Sequence, residues 1–290
     1  MTLEEYLKSK YSKTAVKGYL NVIYRFKLAL GERAAQATHA DILDYIGLLR
    51  NQNLHPKSLR NNLFAIKIYF YYLIEINIRT DHPCKYLQLK DRIDRQIHIE
   101  SLYTKETLEE LYENYQARNP FNQNRDKIII SLLIYQALTV LEISQLTTND
   151  IDLTEGTIKI KDNKKNKGRT LSLKPKQILL FNDYLNQDLP KYLIKQKPNN
   201  QQDFFLLSEE GIQLWKSGIN RLINHDRSKE TKLTPLRIRQ SVIANLLKQN
   251  NDIRVIQAFA GHRRTASTEA YKQTGLEELK SAISKHHPLQ

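Results

Sequence analysis

Apolar residues recur at helical spacing in both halves of this chain, and only one short stretch alternates with the period of a strand. Leu20, Ile23, Tyr24, Phe26, Leu28 and Leu30 form a stripe between turn residues near Ser12 and Gly31, the repeat of an amphipathic helix. Asp41 to Leu49 repeats the pattern. A further helix opens near Pro56, whose fixed φ suits a first helical turn, and runs through Leu63, Ile66, Tyr69, Phe70 and Leu73. The aromatic run Tyr69 to Tyr72 offers rings that could stack on bases, but at helical spacing it reads as core.

The pattern breaks at DHPCKYLQLKDRIDRQ, residues 81–96, a polar stretch with Pro83 inside it. The spacing therefore predicts a first domain over 1–85, a linker over 86–101 and a second domain over 102–290. In the second, helices are predicted at 105–116, 125–138 and 141–147, and again at 174–187, 211–225, 237–249, 252–259 and 264–285 with breaks. Between them, Gly156 to Lys161 and Arg169 to Leu173 read as two strands joined by the turn DNKKNKG, a hairpin with a basic tip. The fold class is mainly α, with one small β-hairpin.

Charge narrows the partners. Lysine and arginine number 45 against 31 acidic residues, a formal +14, which favours a polyanion because neutralising phosphates releases counterions. Charge alone does not separate DNA from RNA, an acidic membrane surface or a merely basic soluble protein. The cations are spread over both halves, so folded surfaces must carry the contact. No stretch approaches the roughly 18 apolar residues of a membrane span, and MTLEEYLKSK has no apolar signal core; a cytoplasmic location is expected. Cys84 is the single cysteine, which excludes an intrachain disulfide and cysteine-rich zinc sites.

The most specific segment is Leu233 to Tyr271, LTPLRIRQSVIANLLKQNNDIRVIQAFAGHRRTASTEAY. An arginine opening an apolar helix, a D-I-x-x-I-Q helix, Gly-His and a tyrosine shortly after resemble the second motif box of tyrosine recombinases. The last residues, SKHHPLQ, resemble the tail of Xer-type members. The likeness covers nearly the whole chain, the first domain resembling the family's all-helical, SAM-like core-binding domain and the second its catalytic domain. It implies a tyrosine hydroxyl attacking a phosphodiester of double-stranded DNA to give a 3′-phosphotyrosine link and a free 5′-hydroxyl, with no metal or cofactor. A phenol of pKa about 10 must lose its proton, and the pentavalent phosphate needs fixed positive charge. By resemblance Tyr271 is the nucleophile, His262 the late phosphate-binding histidine and Arg239 the second arginine, whose planar fork suits two oxygens. Aligning NKKNKGRTLSL on Arg169 puts Lys164 at the position that protonates the leaving 5′-oxygen, with Lys165 and Lys167 as rivals. Lys165, Lys167, Arg169, Arg263 and Arg264 are the expected DNA contacts.

Three positions depart from the family pattern. Glu142 stands where the first arginine should be, in Thr139-Val140-Leu141-Glu142-Ile143-Ser144-Gln145-Leu146. Leu236 replaces a histidine three residues before Arg239, and Gln240 a histidine or lysine after it. Two unit charges about 4 Å apart interact by roughly 4 kcal/mol at an effective dielectric near 20, so attraction turned to repulsion costs up to ~8 kcal/mol. At about 1.4 kcal/mol per decade of rate, half of that would abolish useful turnover. Either Glu142 pairs with Lys164 or Arg239 until DNA binds, with Arg237, Arg263 or Arg264 filling the vacancy, or it is a solvated helix carboxylate, or the register differs here. Three functions follow: an active site-specific recombinase, a deficient member working beside a competent partner, or a regulator that never cleaves. The resemblance also implies a homo- or hetero-oligomeric, tetrameric synapse on DNA, with Leu276, Leu279 and Ile283 forming a helical stripe that either docks on a neighbour or packs at home.

Overall fold

A computed structural model describes residues 1–93, 97–98, 101–196, 203–228 and 230–271. Two compact units divide the chain, Met1–Arg95 and Gln96–Gln290. The stripe Leu276, Leu279 and Ile283, the tail SKHHPLQ and most of the helix expected over 264–285 lie outside the described residues.

Helices α1 (Leu3–Lys10), α2 (Lys13–Leu30), α3 (His39–Asn51) and α4 (Pro56–Glu75) build the first unit. Local chemistry sets their starts. Thr2 and Glu5 cap α1 reciprocally, Thr38 and Asp41 do the same for α3, and Pro56 opens α4, each satisfying or dispensing with amides that a first turn leaves unpaired. The core gathers Leu7, Ile23, Phe26, Ile42, Ile46, Leu59, Ile66 and Phe70, all fully buried or nearly so. Phe26 is its hub, with ring centroids 5.2 Å from Tyr45, 6.3 Å from Tyr69 and 6.1 Å from Phe70. Two members of the expected α2 stripe face out: Tyr24 is 67% and Leu28 72% exposed, because at 3.6 residues per turn they fall about 100° or more round the helix from Ile23. In the aromatic run Tyr69 and Phe70 are core while Tyr71 is exposed.

The polar stretch after α4 is docked on this unit as far as Asp91. Arg50 forks onto Asp91 with two bonds of 2.8 Å, Arg60 donates to the Asp91 carbonyl, and Lys67 donates to that of Lys85. Cys84 is buried among the helices.

The second unit is organised around α6 (Gln123–Tyr135), buried on every side from Ile128 to Ile134. That explains its near-continuous apolar run, since a helix enclosed all round loses its polar face. Packed against it are α5 (Lys105–Glu113), α8 (Pro175–Asp183) and α11 (Pro235–Lys248). The short helix α7 (Val140–Ser144) follows α6, and then a three-stranded antiparallel sheet of β1 (Ile151–Asp152), β2 (Thr157–Ile160) and β3 (Arg169–Ser172). The two-stranded hairpin expected from the sequence thus gains a short edge strand. Ile158 pairs with Leu171 and Ile160 with Arg169, so period-two alternation puts Arg169 on the same inward face as Ile158, Ile160 and Leu171. Beyond the sheet come α9 (Leu189–Leu193), α10 (Lys216–Leu222), α11, α12 (Ile253–Ala260) and α13 (Ala266–Glu269). No helix among the described residues is long and apolar enough to cross a membrane.

Phe26→Ala is expected to destabilise the chain by about 3–5 kcal/mol, read as a lower urea midpoint for the first unit; a loss below about 1 kcal/mol would show that the hub can collapse without it.

Candidate active site

The residues that converge come from four separate places in the second unit: the start of α7, the turn before β3 with the first residue of that strand, the second turn of α11, and the segment from the end of α12 to Tyr271. Thr139 and Glu142 open α7 as a capping box. The Glu142 Oε2 accepts from the Thr139 amide at 2.8 Å and its hydroxyl at 2.9 Å, while the Glu142 amide donates to Thr139 Oγ1 at 3.3 Å. This is the S/T-x-x-E signature of a helix start. The other oxygen, Oε1, accepts from Arg169 Nη1 at 2.7 Å and Asn166 Nδ2 at 3.1 Å. All four acceptor positions of a carboxylate are thereby used. Glu142 is 3% exposed. Burial pushes its pKa up, but the hydrogen bond and charge of Arg169, the Thr139 amide and the charge of Arg239 outweigh that and hold it below the ordinary value.

Glu142 is therefore neither a solvated carboxylate nor the partner of Lys164. Its ion pair is with Arg169, both side chains nearly enclosed. Arg169 likewise does not lie on the surface: alternation along β3 turns its side chain inward. Of the three arginines expected to fill the vacancy, Arg263 is tied to Asp162 and to the Asn163 carbonyl, Arg264 is exposed, and Arg237 is half-buried.

Arg239 sits buried on α11 and donates short hydrogen bonds to two backbone carbonyls, Ala137 from Nη1 and Ala260 from Nη2. Burial pulls its pKa down, and Glu142 opposes that; a guanidinium still stays protonated. His262 lies half-buried, its Nδ1 2.9 Å from Thr268 Oγ1. Burial, with Arg239 and Arg169 nearby, drives its pKa down to about 4. Tyr271 stacks beside it, ring centroids 6.5 Å apart and 15° between planes, in a small core of Ile243, Ala244, Ile256 and Ala260. Burial raises the Tyr271 phenol to about 12, with the charge of Arg239 working against it.

The lysine-bearing turn is fastened to this cluster by its backbone. The Lys167 amide donates to the Gly261 carbonyl at 2.8 Å, and Asn166 forms an isolated antiparallel bridge with His262. Lys164, Lys165 and Lys167 are exposed around the tip, and Asn166 is the residue turned in. Gly261 caps α12 with φ +68°, a conformation that favours glycine. A Cβ there would stand 2.5 Å from Arg169 Nη1 and 3.0 Å from the Lys167 carbonyl, so the glycine also makes room for the guanidinium. Leu236 is 65% exposed and Gln240 half-buried. Among the described residues no group of three or more His, Cys, Asp or Glu could hold a metal ion.

Sequence reasoning misses three roles here. The inward turn of Arg169 is signalled by R-T-L-S-L, in which positions 169, 171 and 173 share one face. The capping role of Glu142 is signalled by Thr139 three residues before it. Thr268, fully buried against His262, has no signal beyond its proximity in sequence.

A mainly helical unit with one small sheet and an arginine, histidine and tyrosine gathered beside a lysine-bearing turn defines the catalytic-domain class of the tyrosine recombinases. The chain matches the phage integrase family over residues 101–277, and it belongs to that family. It is 25% identical over 293 residues to tyrosine recombinase XerC of Listeria innocua serovar 6a, covering 98% of this chain and 95% of the relative. Its fold is similar to that of the Tn1549 transposon integrase in complex with a circular intermediate DNA, with a TM-score of 0.62 at 15% identity, covering 97% of this chain and 99% of the other. It is also similar to the XerH site-specific recombinase bound to difH substrate, with a TM-score of 0.61 at 19% identity over 92% and 77% of the two chains.

Two outcomes follow. The His262 ring is expected to stay neutral in NMR titration down to about pH 4; because the unfolded ring protonates near 6.5, stability should fall as pH drops from about 6.5 towards 4, and less so in His262→Asn. A midpoint near 6.5 in the folded chain contradicts this. Gly261→Ala is expected to cost at least about 1–3 kcal/mol through φ strain and displacement of Arg169, read by urea denaturation.

Proposed function

We propose that this chain is a site-specific DNA recombinase that cuts and rejoins double-stranded DNA through Tyr271, with chemistry slowed by Glu142. The observation that carries the reading is the meeting of Arg239, His262 and Tyr271 in one cluster under a turn bearing Lys164, Lys165 and Lys167. The Tyr271 Oη attacks phosphorus, the bond to the 5′-oxygen breaks, the phenolic proton passes to water, and Lys164 donates a proton to the departing oxygen. Arg239 offers donors beyond the two already spent on Ala137 and Ala260, since a guanidinium carries five N–H groups. His262, kept neutral, binds the phosphate by hydrogen bonding without adding charge. The DNA partner and a tetrameric synapse come by family likeness. In support, the Tn1549 integrase is described in complex with a circular intermediate DNA, and the XerH recombinase as bound to difH substrate.

The slowing has an electrostatic cause. Arg239 and Arg169 contribute two positive charges and Glu142 one negative, so the cluster carries a net +1 against a phosphate whose charge grows in the transition state. A burial that holds the Tyr271 phenol near 12 leaves it protonated until DNA arrives. The same carboxylate favours a second reading, in which this subunit binds DNA and leaves cleavage to a competent partner recombinase.

A suicide duplex, carrying a site that the full chain selects from a random pool, tests this. A covalent 3′-linked adduct with a free 5′-hydroxyl is expected from the unaltered chain and none from Tyr271→Phe. An adduct that survives Tyr271→Phe, or a 5′ linkage, sinks the assignment. An adduct seen only after adding a competent recombinase selects the second reading, and none in either case selects a non-cleaving DNA-binding regulator.

A further inference from the structure

Glu142 looks like a lesion in a cationic site, yet neither of its carboxylate oxygens is idle. Its four hydrogen bonds tie α7 to the turn and to β3: two to Thr139, one to Asn166 and one to Arg169. The same turn is fastened on its other side to Gly261 and His262 through the Lys167 amide and the Asn166 bridge, and to Arg263 through Asp162 and the Asn163 carbonyl. Glu142 therefore closes one side of a frame that holds the three lysines over His262. Arg169 adds a second observation. Its Nε and Nη2 are buried and have no acceptor among the described residues, although a buried donor without a partner is costly and native proteins rarely keep one idle. Such a pair of dry donors on a buried guanidinium, close enough to His262 and Arg239 to act on both electrostatically, suits an oxyanion that arrives later.

We infer that Glu142 is a positioning residue that clamps the lysine turn and the Arg169 guanidinium against His262, so that the second cation of the site is delivered from β3 rather than from α7. In this arrangement Arg169 gives Nη1 to Glu142 and keeps Nε and Nη2 for an oxygen of the scissile phosphate. The loss of an arginine from α7 and the gain of a glutamate there are one exchange. In Glu142→Arg, two guanidinium groups would oppose each other, the Thr139 donors would lose their acceptor and the frame would open. The chemical half of the inference rests on the recombination reading above; the clamp does not.

The experiment has two arms that fail separately. In amide hydrogen exchange on the full chain without DNA, Glu142→Ala should lower protection of the Lys167 amide by about tenfold or more, while Ile158 and Leu171 in the sheet keep theirs. Unchanged protection at Lys167 overturns the clamp whatever the chemistry does. With the selected suicide duplex, Glu142→Arg should slow adduct formation by about tenfold or more, and Arg169→Gln likewise. In the exchange arm, Glu142→Gln, which keeps an acceptor for Arg169 and Asn166, should hold the protection of the Lys167 amide within about threefold of the unaltered chain, and a loss as large as that in Glu142→Ala overturns the clamp. A faster adduct in Glu142→Arg, or a normal rate in Arg169→Gln, overturns the role at the phosphate. Absence of any adduct from the unaltered chain overturns the recombination reading and that role with it, and the exchange arm still decides the clamp.

Discussion

The site depends on one buried ion pair, between Glu142 on α7 and Arg169 on β3. Removing one partner from such a pair leaves a bare charge in a low-dielectric interior, at a cost of about 3–5 kcal/mol. Here both partners carry further duties. Glu142 finishes the cap of its own helix and holds Asn166; Arg169 fills the space that Gly261 leaves beside it. Position 142 is consequently bound into the packing around the site. A glutamate there is compatible with a folded active site because an arginine faces inward from the sheet at the matching register.

Charge then sets the resting state of the other groups. His262, partly dry and under the charges of Arg239 and Arg169, sheds its proton at a pH where a solvated imidazole would still hold one, its pKa standing at about 4. Tyr271 shows the opposite consequence of the same dryness, a phenol that holds its proton up to about 12. Without DNA, both rings are neutral near pH 7. The buried cations are Arg239 and Arg169, which Glu142 offsets to one net positive charge, with the solvated lysines of the turn outside that cluster.

Much of this was legible in the sequence. Helical periodicity located most helices of both units to within a few residues, since an amphipathic stripe and a capping residue are local features. Leu233 to Tyr271 carried the family likeness, and the structure brings Arg239, His262 and Tyr271 from it into one cluster. What was not legible concerns partners. The stripe over α2 swept in Tyr24 and Leu28 because hydrophobicity does not state which side of a helix faces the core. Glu142 was matched with Lys164 or Arg239 because those were the cations the family pattern placed nearby. Its actual partner depends on strand register, Ile160 opposite Arg169, which is set by a turn whose geometry periodicity does not describe. The edge strand β1, two residues long, is too short to leave any periodic trace.

Arg239 spends part of its guanidinium on the carbonyls of Ala137 and Ala260. One of these lies in the link between α6 and α7, where Ala137 holds φ at +49°, and the other ends α12. The side chain is thus a bolt through the interior, whatever it also offers to phosphate. An inert Arg239 variant would confound two losses, that of a charge at the reaction and that of a fastening between two backbone segments. For this protein, any substitution at that arginine also removes a fastening between the α6–α7 link and the end of α12.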